Sequence, residues 1–99
     1  TSAEDKNFNI RLKKIRESID EVDMKLIEVI GERTKLVQEI GRFKKENSVT
    51  ILQIERWFEI LKTRQEMGVS YDLENQMVSE LFELIHKHSI LTQTDIMKK

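Results

Sequence analysis

The chain has 99 residues, which is enough for one domain with a single hydrophobic core. Its 17 lysines and arginines nearly balance its 18 aspartates and glutamates, so the basic excess expected of a nucleic-acid-binding protein is missing. There is no cysteine, which excludes disulfides and thiolate metal sites and is compatible with the cytoplasmic location that we expect. No apolar run reaches the roughly 20 residues of a membrane span.

The composition and periodicity predict an all-α fold of three helices, since proline and any alternating β pattern are absent. Residues 1–6 are polar and are expected to be disordered. The first predicted helix, 7–46, carries apolar residues at alternating steps of four and three, namely Phe8, Leu12, Ile15, Ile19, Val22, Leu26 and Val29. Such a helix would be about 60 Å long at 1.5 Å per residue. A compact domain of this size has a radius of gyration of about 13 Å, so we predict an intertwined homodimer that covers the apolar row.

Two cations interrupt the continuation of this row. The next positions of the pattern fall at 33, at 36 or 37, at 40, and at 43 or 44, where Arg33 and Lys44 stand among apolar residues. Gly31 and Gly41 also lie inside the pattern, and each costs about 1 kcal/mol relative to alanine in a helix. We therefore interpret both glycines as positions of close packing within a continuous helix.

Two shorter helices are predicted after a polar break at residues 46–50. The second helix, 52–67, has apolar positions at Ile54, Phe58 and Leu61, and Gly68 is a suitable C′ residue after it. The third helix, 71–97, carries an apolar stripe at Met77 or Val78, Leu81, Phe82 and Ile85. The stripe then continues through Ser89 and Gln93 instead of apolar residues.

Arg33, Lys44, Ser89 and Gln93 are thus polar residues on apolar faces, where an unpartnered polar group costs several kcal/mol. Each has an ordinary explanation by itself: an ion pair across a dimer, a lysine that reaches solvent, or a serine bonded to its own helix. Taken together, two cations, a hydroxyl and an amide on inward faces of separate helices predict a pocket for a small anion with hydrogen-bonding groups.

Other kinds of chemistry find little support. His86 and His88 are two residues apart on a helix, so they face different directions and are interpreted as surface or edge histidines rather than metal ligands. There is no glycine-rich phosphate loop and no sign of a triad around Ser89. Trp57 and Phe58 are interpreted as packing residues. A reaction that needs only a fixed electrostatic cavity remains compatible with the sequence.

Three stretches resemble the all-helical class of chorismate mutase: IRESIDEVDMKLIEVIGERTKLVQEIGRFK, ERWFEIL and LFELIHKHSILTQ. They contain the combination IR-x₂-ID-x₂-D, ER, IG-x₂-K and IH-x₂-S-x₃-Q, and they cover most of residues 1–99. The resemblance implies an intertwined three-helix homodimer that rearranges chorismate to prephenate, the branch step toward Phe and Tyr, without any cofactor or metal. It also implies a small-molecule substrate, while the balanced charge and the lack of an apolar span predict no nucleic-acid or membrane partner.

The resemblance further implies roles for individual residues. Arg33 and Arg16 would bind the substrate carboxylates, with Arg16 reaching into the site of the partner subunit, while Lys44 and Gln93 would grip the ether oxygen. Ser89 would make a further carboxylate contact, and Arg56 would be another cation near the carboxylate. Ile40 and Ile60 would form apolar walls.

Two positions of the second helix depart from the family pattern. Trp57 stands where many members carry a glutamate that contacts the ring hydroxyl, and Gln53 stands where an acidic residue is common. The hydroxyl could then be bound by Gln53, by backbone, or only poorly. Isochorismate-pyruvate lyase, which uses the same scaffold and lacks that glutamate, is the alternative activity, and a non-catalytic helical dimerisation or regulatory module is the second alternative. Fusion to another shikimate-pathway enzyme is left open.

Overall fold

The computed structural model describes the backbone of residues 2–98 and the side chains of residues 5–98. It contains three α-helices, α1 (Ser2–Glu46), α2 (Ile54–Val69) and α3 (Asn75–Lys98), and no β-strand among the described residues. The predicted all-α class and the number of helices are confirmed. The homodimer stays a prediction. Over the described residues, none of the helices combines the length and the apolar character needed to cross a bilayer.

The helices differ from their predicted ranges mainly at their N-terminal ends. The predicted disorder of residues 1–6 includes Thr1, which lies outside the described residues, whereas Ser2–Lys6 form the start of α1. Helix α2 begins at Ile54, because Gln53 before it adopts an extended conformation with φ −118° and ψ 102°. Helix α3 begins at Asn75, after a turn in which Asp72 has a left-handed φ of 58°.

The chain divides into two compact units, one ending at Arg33 and the other beginning at Thr34. The first unit consists of α1 residues. Its predicted apolar row is 52% to 64% exposed at Phe8, Ile15, Ile19, Val22, Leu26 and Val29. In a single chain this row therefore remains in contact with water.

In the second unit, two faces of α1 have different environments. Val37 and Gly41 are buried and Lys44 is half-buried, and their spacing of four and three residues places them on one face of the helix. Another side of α1 carries exposed apolar residues, namely Leu36, Ile40 and Phe43. The apolar row therefore continues through position 43, and Lys44 belongs to the buried face.

Gly41 lets α1 approach α3 closely. A Cβ atom built on Gly41 would lie 3.2 Å from Ile96 Cδ1, which is tighter than most contacts of a real Cβ atom, and 3.4 Å from Gln93 Cα. The prediction of close packing is confirmed at this glycine. At Gly31, a Cβ atom would meet no atom of the described chain within 4 Å.

Helices α2 and α3 pack against each other as a hairpin, with Ile60 of α2 and Val78 of α3 buried. Gly68 lies inside α2, and a Cβ atom built on it would lie 2.7 Å from Val78 Cγ2. The prediction that Gly68 follows the helix as a C′ residue is wrong, because no described glycine has a positive φ and α2 continues to Val69. Gly68 is needed here for its small size.

The buried face of α2 also differs from the predicted one. Ile54 and Phe58 are 58% and 63% exposed in the single chain, while Ile60 is buried and Trp57 and Leu61 are half-buried. Apolar residues surround this short helix on several sides, so their spacing does not select one face. The choice is made by packing against α3.

Candidate functional site

Lys44 is held at the end of α1 by two hydrogen bonds to different parts of the second unit. Its Nζ atom donates to the backbone carbonyl of Ile51, in the connection to α2, at 2.7 Å. It also donates to Oε1 of Gln93 on α3 at 2.8 Å. An ammonium group has three donors, so two are occupied by neutral oxygens and one is left for a ligand.

The electrostatic environment of Lys44 is unusual for a half-buried cation. Among the residues whose side chains are described, no carboxylate pairs with it, and both of its acceptors are uncharged. Burial lowers the pKa of Lys44 from the ordinary value of 10.5, because desolvation disfavours the charged form. A negative charge on a bound molecule would be strongly favoured beside this group.

Gln93 is the one buried polar residue of the described chain, with 6% of its surface exposed. Its carbonyl oxygen accepts the hydrogen bond from Lys44, which fixes the orientation of the amide. No described residue accepts a hydrogen bond from its Nε2 group. The pair therefore presents two unused kinds of donor, the Lys44 ammonium and the Gln93 amide.

Ser89 lies one turn before Gln93 on α3 and is half-buried. Its Oγ atom donates to the carbonyl of Ile85 at 2.9 Å, a bond within the helix. Ser89 also takes part in a further interaction within the chain. Ser89 is half-buried and Gln93 is buried, as the α3 stripe predicted.

Trp57 and His86 form a stacked pair between α2 and α3. Their ring centroids are 4.3 Å apart and the ring planes are inclined by 22°. Trp57 was predicted to be a packing residue, and this contact agrees. His86 is half-buried in the stack and His88 is exposed, which agrees with their interpretation as edge and surface histidines. His86 precedes Ser89 and Gln93 by three and seven residues, and this spacing was the available sequence signal.

Arg56 and Gln53 lie at the beginning of α2. The Arg56 guanidinium forms an ion pair with Glu59 one turn later, and both side chains are more than half exposed. Gln53 is exposed, and its side chain makes no capping hydrogen bond to α2. Both residues line an open hollow of about 570 Å³. The structure thus groups Gln53 and Arg56 on the surface of α2.

The two expected apolar walls have different environments, since Ile60 is 5% exposed and Ile40 is 47% exposed. Arg16 and Arg33 belong to the N-terminal unit, where Arg16 is exposed and Arg33 is half-buried and engaged in an interaction within the chain. Over the described residues, no group of three histidine, aspartate or glutamate side chains is arranged to hold a metal ion.

The chorismate mutase type II profile matches residues 15–94, which include Lys44, Trp57, His86 and Gln93. The chain belongs to the chorismate mutase type II family. The resemblance inferred from the sequence motifs is confirmed, and the match assigns the chain to a family of isomerases.

Individual relatives are of two kinds. A bifunctional chorismate mutase/prephenate dehydratase from Buchnera aphidicola subsp. Acyrthosiphon pisum is 34% identical over 84 residues, which are 85% of this chain and 22% of the relative. The bifunctional protein of the same name from Escherichia coli K12 is 30% identical over 85 residues. A chorismate mutase from Methanocaldococcus jannaschii is 22% identical over 90% of both chains. This chain thus spans about a fifth of the length of the bifunctional relatives.

Proposed function

We propose that this chorismate mutase family member catalyses the cofactor-free rearrangement of chorismate to prephenate. The observation that carries the proposal is the Lys44–Gln93 pair, a half-buried ammonium without a carboxylate partner among the described residues, bonded to a buried amide. It lies within the matched range of the family. A pericyclic rearrangement transfers no proton to the protein and forms no bond with it, so positioned charges and donors suffice.

Lys44 and Gln93 would act on the ether oxygen of the substrate. Negative charge grows on this oxygen as its C–O bond breaks, so donors aimed at it stabilise the transition state more than the bound substrate. The unused donors of the Lys44 ammonium and the Gln93 Nε2 group are suited to this task. Because both groups are held by the fold before the ligand arrives, little reorganisation is needed during the reaction.

The carboxylates of the substrate would be bound by arginines, whose planar guanidinium groups recognise carboxylates by paired hydrogen bonds. The roles of Arg16 and Arg33 rest on the family resemblance. Arg56 would turn from Glu59 toward the substrate, and an exposed pair of this kind contributes only about 0–1 kcal/mol. Ser89 would add a further carboxylate contact. These contacts would hold the substrate in the compact conformer that reacts.

Three further residues complete the proposed site. Ile60 and Ile40 would form apolar walls, and Gln53 would contribute a polar group at the start of α2. Support for Gln53 comes from the hollow that it shares with Arg56. Support for Ile60 comes from its burial beside α3.

We also propose that the active form is an intertwined homodimer in which Arg16 enters the site of the partner subunit. What supports it is the exposed apolar row of the N-terminal unit, a continuous heptad-like pattern of the kind that associating helices bury. Fusion to a second enzyme stays a prediction, since the relatives include both bifunctional proteins and a chorismate mutase of similar length.

Product analysis separates mutase from isochorismate-pyruvate lyase. The purified chain is mixed with chorismate and, separately, with isochorismate. The proposal predicts prephenate from chorismate and a much slower reaction with isochorismate. Salicylate and pyruvate from isochorismate, without prephenate from chorismate, would establish the lyase instead.

Ligand stabilisation separates the enzyme from a non-catalytic helical module. An oxabicyclic dicarboxylate that mimics the transition state should raise the Tm, because a ligand at a hundredfold excess over its Kd stabilises the folded state by about 2.7 kcal/mol. A module whose cations serve only structural ion pairs would show no change in Tm. The matched control is Lys44→Ala, in which the stabilisation should largely disappear.

A further inference from the structure

The stack of Trp57 and His86 is not explained by the reaction chemistry proposed above. The two half-buried rings lie 4.3 Å apart and almost parallel, one on α2 and one on α3. Trp57 is the single tryptophan of the chain. A stacked neighbour restricts the rotation of an indole ring, so the direction of its Nε1–H group is fixed.

The stack lies on the same face of α3 as the Lys44–Gln93 pair. His86, Ser89 and Gln93 follow each other at intervals of three and four residues, which places their side chains along one line of the helix. The distance from His86 to Gln93 along the axis is roughly 10 Å at 1.5 Å per residue. The face thus has an ammonium and an amide at one end and a pair of aromatic rings at the other.

The indole ring of Trp57 adds a hydrogen-bond donor to this face. An indole Nε1–H group is a hydrogen-bond donor only. No described residue accepts a hydrogen bond from the indole Nε1–H group. The contacts of Trp57 are the bond from its backbone N–H to the Gln53 carbonyl and the stack of its ring with His86. A flat apolar wall with one fixed donor suits a ligand ring that carries a hydroxyl group.

We propose that the Trp57–His86 stack is the specificity wall of the substrate site. The substrate ring lies at the edge of the indole, where Trp57 Nε1–H, which points outward in the plane of the ring, donates a hydrogen bond to the hydroxyl oxygen. The inference rests on the proposed chorismate mutase function. The hydroxyl acts here as an acceptor, the reverse of its contact with a carboxylate. His86 is a positioning residue, because it holds the indole in place. Isochorismate, with its hydroxyl on another ring carbon, would lose this contact.

Trp57→Phe tests the donor, because phenylalanine keeps an aromatic ring against His86 but has no N–H group. The hydroxyl lies away from the breaking bond, so its contact stabilises substrate and transition state alike, and its loss raises KM with little change in kcat. We expect KM to rise about two- to tenfold, the effect of one neutral hydrogen bond, and kcat to stay within about twofold. An unchanged KM would contradict the proposed donor.

His86→Leu tests the positioning role, and His88→Leu is its matched control on the same helix. Without the stacked ring the indole is free to turn, so His86→Leu should raise KM by a factor similar to that of Trp57→Phe and should change the fluorescence of Trp57. His88 is exposed, and its replacement should change neither quantity. Equal effects of both substitutions would contradict a specific role for His86.

Tryptophan fluorescence gives a direct reading of ligand at the wall, since Trp57 is its single source. The probes are the oxabicyclic dicarboxylate with its ring hydroxyl and the same compound without the hydroxyl. We expect the first probe to change the fluorescence on binding, and the second to bind about two- to tenfold more weakly. Trp57→Phe has no tryptophan, so binding to it is measured by the rise in Tm. The two probes should bind to this variant equally.

The outcomes separate this inference from the proposed function. One outcome would leave the mutase function standing and overturn the specificity wall. In it, the unaltered chain turns over chorismate and gains Tm with the probe, but its fluorescence does not change on binding and Trp57→Phe has an ordinary KM. Absence of turnover and of any rise in Tm would overturn both. A fluorescence change that is equal for the two probes would place the ligand ring at the wall but overturn the hydrogen bond.

Discussion

Lys44 combines three properties that set the chemistry of the site: partial burial, uncharged hydrogen-bond partners and a lowered pKa. A purely structural lysine at a helix end would extend its ammonium into water. Here Ile51 and Gln93 hold the group inside, at a cost in desolvation that no described carboxylate offsets. Such an arrangement is typical of a functional group that waits for a charged ligand.

The lowered pKa of Lys44 predicts the alkaline limit of activity. We expect Lys44 and Gln93 to give kcat/KM no pH dependence between about pH 5 and 7, because neither a neutral amide nor a lysine titrates there. Activity should then fall at a pH below 10.5, since burial makes Lys44 lose its proton earlier than an ordinary lysine. The pH profile of Lys44→Arg is the control, because a guanidinium stays charged throughout. An alkaline limb that persists unchanged in this variant would assign the titration to another group.

Gln93→Glu should make the reaction dependent on acid. At neutral pH the carboxylate only accepts hydrogen bonds, so the donor to the ether oxygen is lost and kcat should fall by about 10² or more. Activity should return as pH falls and the carboxyl group binds a proton. Gln93→Met, which has no donor at any pH, should stay low throughout. A Gln93→Glu profile as flat as that of the unaltered chain would rule out the donor role of Gln93.

At the scale of helices, the sequence predicted positions best where one periodic stripe dominates. The α3 stripe correctly placed Ser89 and Gln93 away from the exposed surface. On α1 the pattern did not tell whether position 43 or position 44 continues the apolar row. In the structure, α1 packs against α3 at Gly41, so Lys44 lies on the buried face and Phe43 continues the row. The α2 face was wrong, because Ile54 and Phe58 alternate with equally apolar Trp57 and Ile60. The Lys44 bond to the Ile51 carbonyl had no sequence signal, since every residue carries a carbonyl.

The α2–α3 hairpin depends on Gly68 leaving room for Val78. Gly68→Ala should destabilise the fold by about 1–3 kcal/mol, because the added methyl group would lie 2.7 Å from Val78 Cγ2. Val78→Ala should also destabilise, through lost burial. In the double variant the added methyl group meets a smaller neighbour, so the loss measured by denaturant unfolding should be less than the sum of the single losses. Simple additivity would show that the two residues do not compete for this space.

For the whole molecule, the proposed dimer makes each site depend on two chains. A mixture of Arg16→Ala and Lys44→Ala chains tests this composition, after subunits have exchanged. A mixed dimer would contain one intact site, with Lys44 from one chain and Arg16 from the other. Random exchange between symmetric dimers should therefore restore about a quarter of the unaltered rate. If each site were built from a single chain, mixing would restore nothing.

The dimer should also depend on the apolar row of the N-terminal unit. Val22→Glu would place a carboxylate in the middle of this row, whereas Glu21→Lys beside it changes charge outside the row and serves as the control. We expect the mass measured by light scattering to halve for Val22→Glu alone, with a parallel loss of activity. A monomeric unaltered chain that turns over chorismate at full rate would contradict the proposed assembly.

The central claim is that a preformed ammonium and amide, rather than any proton transfer or cofactor, accelerate the rearrangement. The most direct test is the rate of prephenate formation from chorismate by the unaltered chain and by Lys44→Ala, with Tm measured on both. The account predicts turnover by the unaltered chain and a loss of at least about 10²–10³ in kcat for Lys44→Ala, with cooperative unfolding retained. Near-normal turnover by a folded Lys44→Ala chain would contradict it.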